Sequence, residues 1–219
     1  MSELFSIQLQ NRQQQGRDGV WLDLPTTTEQ VQAALRQIGI SSDNPQGLFI
    51  SGYFAEEEKR FAIPYNMVLA SNVDELNFLA SRLETLSTGE RTELNAALQA
   101  PQSELFSIGR ITDFPENVDY YVHLPDVHGP AQLGDYYLNR SGMVDMPEEW
   151  KGGIDTAQFG RYVAQQEQGA FTQYGYLVKS GDEWQKVHEG QPVPEEYRVL
   201  FFPAPEVLRD AANIPPPMQ

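Results

Sequence analysis

Apolar and polar side chains alternate from residue 4 to residue 9, with Leu4, Phe5, Ile7 and Leu9 set against Ser6 and Gln8. That period of two is the signature of a strand buried on one face. Val20-Trp21-Leu22-Asp23-Leu24 reads as a second strand, and the polar, glycine-containing stretch NRQQQGRDG between them as a hairpin connection. Pro25 closes the second strand because it has no donor for a ladder. The period then lengthens. Val31, Ala34, Leu35 and Ile38 share one helical face, with Thr26 or Thr27 as N-cap, Glu29 or Gln30 as the return half of a capping box, and Gly39 as the stop. After the loop SSDNPQG, Leu48–Phe54 reads as a third strand, followed by a charged, exposed turn at Glu56-Glu57-Glu58-Lys59-Arg60. Residues 1–70 are thus expected to form an N-terminal α+β domain.

The next stretch is helical. Asn72 and Glu75 make a capping box, and Val73, Leu76, Leu79, Leu83 and Leu86 follow at helical spacing. A second box, Ser87 with Glu90, opens a shorter helix through Leu94, Ala97 and Leu98 that Pro101 ends. Two such helices cannot form a core alone, so this middle domain, 71–101, must pack on a neighbour. From residue 102 the chain starts again: Ser2-Glu3-Leu4-Phe5-Ser6-Ile7 recurs as residues 103–108, which reads as the same strand chemistry used twice because the flanks do not align. The C-terminal α+β domain, 102–178, is expected to contain strands over Phe106–Ile111 and Tyr120–Leu124 and a helix over Leu133–Leu138. A turn at Pro147–Trp150 follows, with Pro147 as first helical residue, then a helix from Asp155 through Phe159, Tyr162 and Val163, and a strand near Phe171–Val178. The extension, 179–219, carries an expected strand at Tyr197–Phe202 and an expected disordered end at Pro215–Gln219. The fold class is therefore α+β, with small antiparallel sheets.

Composition narrows the function. The 219 residues hold 31 acids against 15 Lys and Arg, a formal charge of −16, with 40% hydrophobic residues and no cysteine. The apolar share is that of a globular chain. The charge excludes binding nucleic acid directly through a basic groove, and docking on anionic lipid. The lack of cysteine excludes disulfide scaffolds, thiolate metal sites and cysteine nucleophiles. Neither a signal peptide nor an apolar run of membrane-spanning length is present, so the expected location is the cytoplasm, away from membranes.

The usual catalytic signatures are missing: no phosphate-binding glycine loop, no G-x-S-x-G and no H-E-x-x-H. One constellation suits a metal-dependent hydrolase, namely Asp119, His123, Asp126 and His128, although the spacing matches no established metal motif. The bland reading is a strand followed by a loop. The acid pairs Glu148-Glu149, Asp182-Glu183 and Glu195-Glu196 are neighbours that point apart on a helix, and read as solvated surface. The charge is also uneven. Between residues 111 and 150, Asp113, Glu116, Asp119, Asp126, Asp135, Asp145, Glu148 and Glu149 face only Arg140. Interleaved with strand and helix signals, these acids would be displayed at fixed positions on a folded surface, as a mimic of a phosphate backbone requires.

Several ordered motifs resemble the ArdA antirestriction proteins. They are Gly19-Val20-Trp21-Leu22-Asp23-Leu24-Pro25, Asn72-Val73-Asp74-Glu75-Leu76-Asn77-Phe78-Leu79-Ala80, Leu133-Gly134-Asp135-Tyr136-Tyr137, and Gly153–Arg161 continuing into Glu167–Thr172 and Tyr174-Gly175-Tyr176. The resemblance implies an elongated chain of three small domains, usually a homodimer, without cofactors or catalytic residues. Such proteins are encoded on mobile elements and occupy the DNA-binding groove of type I restriction–modification enzymes, in their methyltransferase core. Carried over to this chain, the resemblance assigns a DNA-mimic surface to Asp74, Glu75, Glu84, Glu90 and Glu93 of the helical segment and to Asp113, Glu116, Asp119, Asp126, Asp135, Asp145, Glu148 and Glu149 of the third. Arg82, Arg91, Arg110 and Arg161 must then pair with acids or sit off that face. The extension past residue 179 departs from the compact members of the family. Two other readings stand beside this one: the hydrolase, and a generic acidic adaptor with hydrophobic partner contacts.

Overall fold

The structure, a computed structural model, describes residues 4–14, 18–56 and 61–205. It is a mixed α+β fold with small antiparallel sheets, as the hydrophobic pattern predicts, and among the described residues there are two, each of three strands. In the first, β1 (Phe5–Asn11) lies between β2 (Val20–Leu24) and β3 (Leu48–Phe54). Phe5 pairs with Leu24 and Leu9 with Val20, while the β1–β3 register slips between Gln8 and Leu9. One face carries Phe5, Ile7, Leu9, Leu22 and Leu24, all buried. The other leaves Trp21 half-exposed, edge-on to Phe54. Helix α1 (Thr28–Gln37) has Thr27 as N-cap and Gln30 as its capping-box partner, and buries Val31, Ala34 and Leu35.

A short helix that the sequence pattern does not announce, α2 (Tyr65–Ala70), leads into α3 (Val73–Glu84) and α4 (Thr88–Gln99). Both capping boxes form as predicted, Asn72 with Glu75 and Ser87 with Glu90. Val73, Leu76, Leu79, Ala80 and Leu83 enter the same core as the first sheet. Asn77 fixes that junction, its Oδ1 accepting from Thr26 N–H at 2.7 Å. The core continues through Leu94, Ala97, Ile111 and Phe114 to Leu177 and Val199. A smaller core gathers around Val127, Leu133 and Tyr176.

The repeated hexapeptide adopts two structures. Its first copy enters the central strand, whereas in the second Ser107 caps α5 (Ile108–Thr112) by accepting from Arg110 N–H. The strand expected over Phe106–Ile111 is therefore a helical turn. Arg110, held by Glu104 and Glu189, anchors it, and Leu105 is buried while Phe106 is exposed beneath the guanidinium. Tertiary contacts override the strand propensity of the hexapeptide. The second sheet has β6 (Gly175–Lys179) between β4 (Tyr121–Leu124) and β5 (Ala170–Thr172). The single strand expected over Phe171–Val178 is thus a hairpin. Gly175, at φ +117°, makes its turn where a Cβ would press on Leu124 O and Pro125.

Helix α6 (Pro130–Asp135) runs on as a π-helical turn, Tyr136–Arg140. After α7 (Glu148–Lys151), for which Pro147 is the N-cap rather than the first helical residue, comes α8 (Thr156–Glu167), capped by Asp155. Helices α6 and α8 meet backbone to backbone. A Cβ at Gly134 would fall on Thr156 O, and one at Gly160 on Pro130 O. Among α8 residues only Gly160 is fully buried, and Tyr162 is 60% exposed. The expected strand Tyr197–Phe202 does not form. A 3₁₀ turn at Glu195–Tyr197 leads into extended chain that bonds to α3. The expected charged turn lies, beyond Glu56, outside the described residues, as does Pro215–Gln219.

The helix crossing yields a stability test. Gly160→Ala or Gly134→Ala forces backbone apart and is expected to cost about 1–3 kcal/mol. Gly89→Ala, in open space within α4, is expected to be neutral or to stabilise by up to about 1 kcal/mol. Urea denaturation of the three variants checks the contrast.

Candidate functional site

The acids of the helical and third segments divide by what their oxygens already do. Asp119, Asp126, Asp145 and Glu149 are exposed and have no ion-pair partner among the described residues. Glu116 is exposed but paired with Arg82, and Glu148 with Lys151 at 2.6 Å. Asp135 accepts from Asn139 Nδ2 at 2.8 Å and lies 3.3 Å from Arg140 Nε. Glu75 and Glu90 close the capping boxes of α3 and α4, and the bonds to Ser87 hold Glu90 below the usual carboxylate range. Glu84 is half-buried at the end of α3.

Three of the acids face inward. Asp113 has no solvent exposure, and its carboxylate accepts the backbone N–H groups of Val187, His188 and Glu189 at 3.3, 2.6 and 3.2 Å. Asp74 accepts Val199 and Leu200 N–H through one oxygen. Glu93 on α4 has a buried Oε1 without a hydrogen-bond partner, and burial, then the nearby charges of Glu90 and Asp119, push its carboxyl up to about 8. It is largely uncharged at neutral pH. Asp113 and Asp74 are thus spent on backbone, which no sequence pattern announces because their partners lie 74–76 and 125–126 residues away.

The cations are mostly engaged. Arg110 is buried between Glu104 and Glu189, and Arg91 donates to Leu86 O and lies over the Phe61 ring. Arg161 is exposed on α8. A net excess of negative charge therefore remains at the surface of the third segment.

The residues named for a hydrolase do not assemble. Among the described residues no three His, Asp or Glu side chains are grouped as a metal ion needs. His123 Nε2 is bonded to Tyr174 O at 2.8 Å, while Asp126 and His128 stand exposed in the following loop. A cavity of about 550 Å³ opens between α2, α3, α5 and residues 188–193. Its two carboxylates are already occupied, Glu75 by the Asn72 N–H and Glu189 by Arg110. Glu167 accepts from both Tyr137 and Tyr176, and burial together with this carboxylate holds both phenols protonated above their ordinary range. No described helix is long and apolar enough to cross a membrane.

Glu93 predicts a pH dependence. Its carboxyl titrates near 4.5 when exposed and near 8 in the fold, so between those values the folded chain keeps a proton that the unfolded chain loses. Stability falls as pH rises through that window, and the cost is fully present above pH 8. Glu93→Gln is expected to be neutral below pH 4.5 and to gain about 1–2 kcal/mol at pH 8.5, after allowance for solvent screening of a side chain that is not fully buried. Denaturant titrations at both pH values check it, and a pH-independent difference would overturn the assignment.

Comparison with known proteins adds one positive finding. Residues 15–178 match the family model described as antirestriction protein (ArdA), and no curated protein matches the chain. The matched span includes both glycines of the α6–α8 crossing, which lie in the Leu133–Tyr137 and Gly153–Arg161 motifs and give those motifs a packing reason. It also includes the capping box of α3 and the strand β2, and it ends within β6. Matched over about three quarters of its length, the chain belongs to the antirestriction protein (ArdA) family.

Proposed function

We propose that this antirestriction protein mimics B-DNA and occupies the DNA-binding groove of a type I restriction–modification enzyme, in its methyltransferase core, so protecting incoming mobile-element DNA. The observation that carries the reading is the exposed set Asp119, Asp126, Asp145 and Glu149, without ion-pair partners among the described residues, in a segment whose cations are largely tied to other acids. Duplex DNA carries about one charge per 1.7 Å of axis, so a groove built to hold it is a positive track. Carboxylates fixed on a folded surface are steered into such a track and displace its ions. The surface proposed comprises these four acids with Glu116, Asp135 and Glu148, and Glu75, Glu84 and Glu90 on the helical segment. Asp74, Glu93 and Asp113 contribute through the fold. The elongated, three-part form and the homodimer belong to the same proposal, as does a cytoplasmic site of action.

The decisive experiment is competition with duplex DNA for a purified type I methyltransferase across a salt series. Competition is expected at low salt and to weaken steeply as salt rises. Neutralising Asp119, Asp126, Asp145 and Glu149 together, to Asn and Gln, is expected to weaken it about tenfold or more while leaving stability within about 1 kcal/mol. DNA binding left untouched at low salt would sink the proposal, and salt-insensitive binding would favour a hydrophobic adaptor.

A further inference from the structure

The family match ends at residue 178, while the described chain runs on to residue 205 and crosses the fold in the opposite sense. Just after β6, Ser180 N–H donates to Tyr120 O at 2.9 Å. Gln185 exchanges two bonds with Asn117, its N–H donating to Oδ1 at 2.7 Å and its carbonyl accepting from Nδ2 at 3.0 Å. The N–H groups of residues 187–189 converge on buried Asp113. Further on, Asn77 Nδ2 donates to Tyr197 O, Asp74 accepts from Val199 and Leu200, and Ser42 N–H donates to Pro203 O at 2.9 Å. Rings reinforce the track: Trp184 sits edge-on to Tyr120, and His188 and Tyr197 pack against Phe78.

These anchors lie beside the second sheet (Asn117, Tyr120), on α3 (Asp74, Asn77) and in the loop between α1 and β3 (Ser42). An irregular segment normally runs on the surface with its backbone open to water. Here, although most of its residues are exposed, four side chains, Asp74, Asn77, Asp113 and Asn117, supply the backbone partners that a ladder would give. We propose that residues 180–205 are a brace that fixes the two sheets relative to each other, with Asp74 and Asp113 as its positioning residues. The brace stands on geometry alone; only its functional consequence rests on the DNA-mimic reading. A mimic held rigid loses less freedom on binding than one whose parts move.

The lack of cysteine makes the test clean. Gln37→Cys on α1 and Gln165→Cys on α8, both exposed, carry nitroxide labels in the full chain. The distance distribution between them is expected to be single and narrow. In the Asp74→Ala and Asp113→Ala backgrounds it is expected to broaden about twofold, with amide protection lost across 185–189 and 199–200. Asp74→Asn loses the same charge but keeps an acceptor oxygen, and is expected to restore the narrow distribution. Asp74 also gives a second route should Asp113→Ala fail to fold. A width unchanged once the brace amides exchange freely would overturn the proposal, as would an Asp74→Asn variant as broad as Asp74→Ala. In DNA competition, Asp74→Ala is expected to be about tenfold weaker than Asp74→Asn. If the unmodified protein does not compete, the mimic reading falls and the distance measurement still decides the brace.

Discussion

A three-stranded sheet has one face to bury and nothing of its own to bury it against, and the described residues contain two such sheets. The apolar face of a sheet must be buried against another element. The helices α3 and α4 provide that element. Their apolar stripe continues the core of the first sheet into Ile111, Phe114 and Leu177 beside the second. Asn77 joins both problems in one side chain, accepting from Thr26 on the first unit and donating to Tyr197 on the returning chain.

Much of this was legible in the sequence, for physical reasons. Capping boxes and amphipathic stripes are local, so α1, α3 and α4 follow from residues within a few positions of each other. The alternation that marks β1 is equally local. The second copy of the hexapeptide misleads because its fate depends on Arg110 reaching Glu189, 79 residues ahead. The hairpin in place of one strand is by contrast held locally, Thr172 Oγ1 accepting from Tyr174 N–H and donating to Gly175 O. The returning segment is legible only once Asp74 and Asp113 are seen to look inward.

The same limit applies to the acids. Composition counts a carboxylate whatever it does, and here carboxylates cap helices, bind backbone, pair with arginines or face water. Glu93 and Asp119 are 26 positions apart in the sequence, yet the charge of Asp119 adds to the cost of charging Glu93. Burial and partners, rather than number, decide which acids form a field outside the molecule.

The glycine contact between α6 and α8 has a consequence for spacing. At Gly134 and Gly160 no side chain stands between the two helices, and their separation there is set by main-chain atoms in van der Waals contact. Asp135 and Asp155 sit beside that contact, one at the end of α6 and the other capping α8. The placement of these two carboxylates therefore depends on the closest approach of two main chains, and a methyl group added at either glycine would displace one relative to the other.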